Sequence, residues 1–326
     1  MTLRLAALLL LALCASAAGL LIGGTALGGG EILHALMHPH GAGVVDRIVW
    51  DLRLPRICIA AVVGACLALC GALLQGMLRN PLVDPYLTGV SAGSAAAIAV
   101  ALMIGVAPAG LPAIGFGAGL GAAILVAALA RRGSGIDSNR LILAGVSLST
   151  LFAAIVTLAI VRAQSSDFAG AVVAWLAGSM AGRDWHDLWT VLPYAGAGIV
   201  LATFSVPALN ALRVGDVRAR SAGVDIDRAQ WIILAASSLL AASSVVLAGM
   251  VGFIGLIVPH IARRLVGSDA RVMLPACALL GAALCTVADA ICRWIVAPAE
   301  LPIGVLLAFI GVPAFLYLYL RQGAPR

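Results

Sequence analysis

Arg53-Leu-Pro-Arg56 sets two guanidiniums three residues apart, hence on one face of a helix that Pro55 can begin. Such a pair either anchors a helix end at lipid headgroups by snorkelling or presents a fixed positive patch to acidic groups of an outside partner. Arg293 would extend that patch, and Asp289, four residues before it, fits as its intrahelical ion-pair partner. His34 and His38 are four apart as well, with Met37 and His40 beside them. A one-face histidine pair can hold a metal or touch haem. Glu31 is the only carboxylate or thiol nearby, so metal binding is the weaker reading; His186 and His260 stand alone and read as structural hydrogen-bonding residues.

Other chemistry is excluded by composition. All 20 basic residues are arginine, and the chain has no lysine. That removes a GxxxxGK[ST] phosphate loop, a pyridoxal-phosphate Schiff base and any lysine nucleophile. No Ser/His/Asp order, HExxH motif or paired membrane carboxylates occur, so no catalytic set is expected. The seven cysteines fall within apolar stretches, where they behave as small hydrophobes.

Small polar residues mark a third kind of site. In residues 75–91, Asn80-Pro81 and Asp84-Pro85 break the helix twice, and Thr88, Gly89 and Ser91 open the next apolar run. This is either a close-packed turn or the wall of a polar pathway, with Thr88, Ser91 and Ser147 as candidate pathway residues. The connection GSGIDSNR (133–140) ends in Ser138 and Asn139, where Asp137 or Ser138 can cap a helix, with or without a gating role. Residues 213–230 carry four arginines and three aspartates around Ser-Ala-Gly223. With Gly252–Arg264, they suit either a solvated loop or docking of an inner partner.

The elements that carry these residues must lie in a membrane. Of 326 residues, 63% are hydrophobic and 10% charged, and the mean hydropathy is +1.11; a soluble domain carries about 25% charge. Stretches long enough to cross the hydrocarbon run roughly Leu3–Leu27, Leu54–Leu78, Leu87–Val106, Leu111–Ala130 and Leu141–Val161. Leu188–Leu209, Trp231–Met250, Leu274–Val296 and Gly304–Leu320 follow, while Phe168–Ala181 and Gly252–Ile261 are short and ambiguous. The first stretch imitates a secretory signal but reads as an uncleaved helix. Counting Gly252–Ile261 as a tenth span puts both termini in the cytoplasm. Of the 20 arginines, only Arg47, Arg53, Arg56, Arg162, Arg183 and Arg293 then lie outside. That asymmetry follows the positive-inside rule and favours ten spans over nine or eleven. Gly115/Gly119 and Gly117/Gly121 form overlapping GxxxG pairs for close helix packing.

Taken in order, the segments resemble one family. They are RLPR (53–56), QGMLRNPLVDPYLTGVSAG (75–93), LAGVSLS (143–149), WLAGS (175–179), ARSAGV (219–224), GFIGLIVPHIARRLVG (252–267), ADAICR (288–293) and ELPIGV (300–305). The chain resembles the FecCD-like permease subunits of type II ABC importers for iron–siderophores, haem and cobalamin, from about Arg47 to Leu320. The resemblance implies an all-α polytopic fold of about ten transmembrane helices in a single transmembrane permease domain, residues 1–326. It implies a homodimer, two copies of an ATP-binding subunit, a periplasmic substrate-binding protein, no nucleic acid, and the bacterial inner membrane. By the same resemblance Arg53, Arg56 and Arg293 dock the binding protein, and Ser138 and Asn139 belong to the cytoplasmic gate. Asn139 departs from the gate's usual small hydroxyl. The segment 213–230, with Arg218, Ala219 and Gly223, matches the part that packs on the ATPase. ATP and magnesium would belong to that partner, with no cofactor on this chain. The implied function is import of an iron chelate, haem or a ferric siderophore, with cobalamin as the alternative. An ion-coupled secondary transporter is a distant third, because Asp289 alone could carry its ion.

Overall fold

Proline and glycine divide a nearly continuous apolar sequence into helices of unequal length. In the computed structural model, residues 2–322 are described except 24, 26, 40, 42, 108, 109, 134, 164, 165, 214, 222 and 298; the side chains of 2, 166, 167, 216–218 and 317–322 are also outside the description. The first helix, α1 (Thr2–Leu21), leads to α2 (Gly29–Met37) and α3 (Val44–Arg47). From there a wide π-helical turn (Ile48–Arg53) runs into α4 (Leu54–Leu78), with Pro55 in its first turn. Asp84 caps a short 3-10 turn (Pro85–Thr88) ahead of α5 (Val90–Met103). Then come α6 (Leu111–Ala130), a two-stranded hairpin of β1 (Arg131–Arg132) and β2 (Gly135–Ile136), α7 (Ser138–Ala163) and α8 (Ser166–Ala177). The hairpin is antiparallel, pairing Arg131 with Ile136. The chain continues through α9 (Trp185–Phe204), α10 (Val206–Leu212), α11 (Asp216–Ser221) and α12 (Ile226–Ala248). It ends with α13 (Ile254–Val266), α14 (Ala270–Ile295) and α15 (Ile303–Gln322).

Among the described residues, 7 helical stretches are long and apolar enough to cross a membrane, and Val90–Met103, Phe168–Ala177 and Ile303–Leu316 are shorter apolar helices. The protein is all-α and polytopic. Its thirteen-residue α13 rises about 20 Å, less than the hydrocarbon thickness, and its last turn carries Arg263 and Arg264.

Helices α4 and α12 form the centre, each with 78% of its apolar window buried, whereas α1 and α7 are peripheral at 17%. Around α4 pack α14, α12 and α13; α9 packs on α12, and α5 on α6 and α7. The α4–α14 seam closes on Gly64 and Gly281, where a Cβ on either would overlap the other's carbonyl oxygen. Small residues give lipid-embedded helices their contact area, because apolar burial does not drive them together. Of the overlapping GxxxG pairs, Gly115 and Gly119 face α5, against Ile98 and Ser94, while Gly117 and Gly121 face open space.

Several short elements begin or end at one place. Ser179 N donates to Ala248 O at 2.9 Å and Ile303 N to Gly178 O at 3.0 Å, so the ends of α8 and α12 and the start of α15 interlock. A Cβ on Gly304 would lie 2.5 Å from Ala177 O, and one on Gly252 would touch the Tyr86 ring at 3.5 Å. The starts of α5 and α13 therefore reach the same junction.

Candidate functional site

The outer arginines are placed by the chain break before Pro55. The π-helical turn delivers Arg53 inward, where it is 4% exposed. Its guanidinium donates to Leu20 O and, at 2.6 Å, to Thr25 O. Arg293, 5% exposed, donates to Gly19 O at 3.0 Å. The last carbonyls of a helix have no intrahelical partner and carry negative partial charge, so two guanidiniums capping α1 satisfy both. Asp289 lies between Arg56 and Arg293, with Arg56 Nη2 at 2.9 Å and Arg293 Nε at 3.0 Å. Arg56 also meets Glu300 at 2.8 Å.

This corrects the expectation of a presented positive patch. Arg53 and Arg293 are interior groups tying α1 to α4 and α14, and only Arg56 and Glu300 of the network reach the surface. The reason is electrostatic: an unpaired guanidinium costs several kcal/mol in a low-dielectric interior, so each one takes carbonyl or carboxylate partners. The intrahelical pairing of Asp289 with Arg293 is as the spacing predicts.

Between α5, α7 and α8 lies a cavity of about 410 Å³, walled by Tyr86, Ser91, Ser149, Thr157, Leu176 and Met250. Asp84 accepts from Tyr86 N at 2.9 Å and so fixes the turn that aims Tyr86. Of the predicted pathway residues, Ser91 lines this cavity. Thr88 is turned away, donating to Pro85 O at 2.8 Å. Ser147 is exposed outside the lining, and Ser149 takes its place. Residues two apart on a helix lie about 200° apart around it, so only one of the two serines can face the cavity. The helical period held that signal.

At the other end of α7, Asp137 is the cap. Its carboxylate accepts from Arg140 N at 3.0 Å and sits 3.6 Å from Arg132. The Arg140 amide, with Arg132 adding to it, holds the Asp137 carboxyl below its ordinary value. Ser138 is half-buried and Asn139 exposed in the first turn of α7. A carboxyl depressed in the folded state stabilises it above the ordinary pKa, and that contribution is lost as pH falls through the lowered value. At neutral pH the cap is complete. Acidification below about pH 4 is expected to speed amide exchange at residues 138–141, corrected for intrinsic rates; Asp137→Ala should exchange faster already at neutral pH.

Beyond it, α10 is pinned to α14: Asn210 Nδ2 donates to Asp269 at 2.8 Å, and Ala270 N donates to Asn210 Oδ1 at 2.9 Å. In α11, Ala219 is buried, and the following turn passes through Gly223 at φ 79°. The side chain of Arg218 lies outside the described residues. Nearby, Arg263 donates to Gln75 Oε1 at 2.6 Å, and Gln75 Nε2 to Gly255 O at 3.1 Å. The His34 and His38 rings stack at 4.2 Å, and His40 is outside the described residues. Among the described residues no set of three His, Cys, Asp or Glu side chains gathers as metal ligands.

Comparison with known proteins gives a consistent result. A model of the FecCD transport family matches residues 8–321. The Fe(3+) dicitrate transport system permease protein FecC of Escherichia coli K12 is 35% identical over 299 residues, covering 90% of each chain. The vitamin B12 import system permease protein BtuC of Escherichia coli O139:H28 is 35% identical over 281 residues, covering 85% of each. Among solved structures, a metal-chelate type ABC transporter in an inward-facing conformation superposes with a TM-score of 0.88 at 33% identity, over 98% of this chain and 100% of that one. PsaBC from Streptococcus pneumoniae shares the fold alone, with a TM-score of 0.54 at 13% identity over 88% of this chain and 94% of that one.

Proposed function

The chain belongs to the FecCD transport family, and from that membership we propose that it is the permease of an ATP-driven importer carrying an iron chelate, haem or a ferric siderophore, from periplasm to cytoplasm. The observation that carries this reading is the extent of the likeness, which runs over almost the whole chain to a metal-chelate type transporter. An equally similar relative imports vitamin B12, so cobalamin is the second reading.

The chain works as one half of a homodimer in the bacterial inner membrane, with both termini cytoplasmic. Its partners are two ATP-binding subunits and a periplasmic substrate-binding protein. Exposed apolar side chains on α7 (Leu143, Leu151, Leu158) and on α15 (Phe309, Ile310) leave apolar faces of the kind that a second copy or lipid would cover. The cavity at Ser91 and Ser149 is then half of the pathway. Its uncharged hydroxyls and apolar walls suit a bulky chelate that must be released as readily as it is admitted. The binding protein meets Arg56 and Glu300 at the outer face, with Arg53 and Arg293 holding α1 behind them. Residues 213–230 seat the ATP-binding subunit, and Ser138 and Asn139 stand at the inner gate. ATP and magnesium act on that subunit, and this chain binds no cofactor.

Reconstituted with its ATP-binding subunits, the chain should show ATP hydrolysis stimulated by binding protein loaded with haem or a ferric siderophore. Stimulation by cobalamin alone would move the assignment to the second reading. Substrate flux through vesicles holding this chain without an ATPase would overturn the importer altogether.

A further inference from the structure

We propose that Gln230, seconded by Asp227, is the positioning residue through which movement of the 213–225 segment reaches the N-terminus of α7; this rests on the permease reading above. Gln230 Oε1 accepts from Ile136 N at 2.8 Å, across 94 residues of sequence. That bond joins the first turns of α12 to the hairpin, whose Ile136 is buried in the main core. One turn earlier, Asp227 lies against Gly135, where a Cβ would fall 2.5 Å from its Oδ1. The same oxygen is 3.5 Å from Arg220 Nη2 on α11.

Each end of this path is fixed differently. On the α11 side, the left-handed Gly215 (φ 107°) and Gly223 (φ 79°) bracket the helix, while Asn210 holds α10 to α14. Helix α11 is therefore set off from its neighbours by a glycine turn at each end. On the α7 side nothing is loose: Asp137 N donates to Ala130 O at 3.0 Å, and its carboxylate caps the helix that begins at Ser138. A shift of α11 passes through Arg220 and Asp227 to the start of α12, and from Gln230 through Ile136 to the cap. The Arg220–Asp227 pair is solvent-facing and contributes little. The Gln230 bond carries more, because its loss strands a backbone donor of a buried residue.

The test uses the full chain assembled with its ATP-binding subunits in lipid nanodiscs, trapped with Mg-ATP and vanadate, with amide exchange as the readout. In the unmodified complex, trapping should change exchange at both 213–225 and 131–140. Gln230→Ala should keep the response at 213–225 and cut that at 131–140 several-fold, and Gln230→Glu, which retains the acceptor, should restore it. An unaltered response at 131–140 in Gln230→Ala overturns the relay. So does equal loss in both segments, which would mean structural damage instead. If 213–225 fails to respond in the unmodified complex, the segment's role in the permease reading falls, and the relay with it.

Discussion

Asp289→Ala is expected to be the most damaging single change at the outer face, lowering stability by about 3–5 kcal/mol. Asp289 is 2% exposed and is the counter-ion that Arg56 and Arg293 share. Its removal leaves Arg293 with the Gly19 carbonyl and Arg56 with the half-exposed Glu300. A charge stranded in a low-dielectric interior costs far more than the pair itself ever contributed. Glu300→Gln is the control, because a pair with a half-exposed carboxylate is worth only about 0–1 kcal/mol. Thermal unfolding of the purified protein should show a large fall for Asp289→Ala and little change for Glu300→Gln. Equal melting of Asp289→Ala and the unmodified chain would refute the shared counter-ion.

Gly249→Ala should rank next. Gly249 sits at φ 69°, ψ −148°, a region that side chains beyond hydrogen rarely adopt. A Cβ there would also overlap Trp175 O at the end of α8. Strain of about 1–3 kcal/mol adds to an overpacking cost of similar size, and both fall on the junction that Ser179 N and Ile303 N close. Gly117→Ala, made in α6 where nothing lies within 4 Å, should be near neutral. The folded fraction after detergent extraction, read by size-exclusion chromatography, separates the two. Comparable folded fractions for both variants would show that the junction tolerates a side chain.

The helical, multi-span architecture was legible because hydropathy is a local property, and so were a cap at Asp137 or Ser138, of which Asp137 is the one formed, and the Asp289–Arg293 pair, whose spacing is one helical turn. The partners of Arg53 and Arg56 were not legible. Arg56 and Glu300 are 244 residues apart, and Arg293 and Gly19 are 274 apart, so no window of sequence contains both ends. Arginines read as surface groups until the carbonyls of another helix are placed beside them. The cavity wall was half legible: the small polar residues pointed to it, but choosing Ser149 over Ser147 required knowing which face of α7 turns inward. Likewise Gln230 is one more polar residue near a helix start until Ile136 is brought to it.

The short helices meeting at the Gly178–Gly249 junction bear on how the chain is made. Helices of 14 and 13 residues, as in α5 and α13, cannot each enter a bilayer as independent apolar rods that need about 20 residues. Released singly from the ribosome, α13 would carry Arg263 and Arg264 with too little apolar length to offset them. It must enter alongside α12 or α14, and the junction closes only when the start of α15 arrives and Ile303 N donates to Gly178 O. Membrane integration of this protein therefore finishes late, when its last helix reaches the junction, and truncation before residue 303 should leave the earlier segments exposed to membrane proteases.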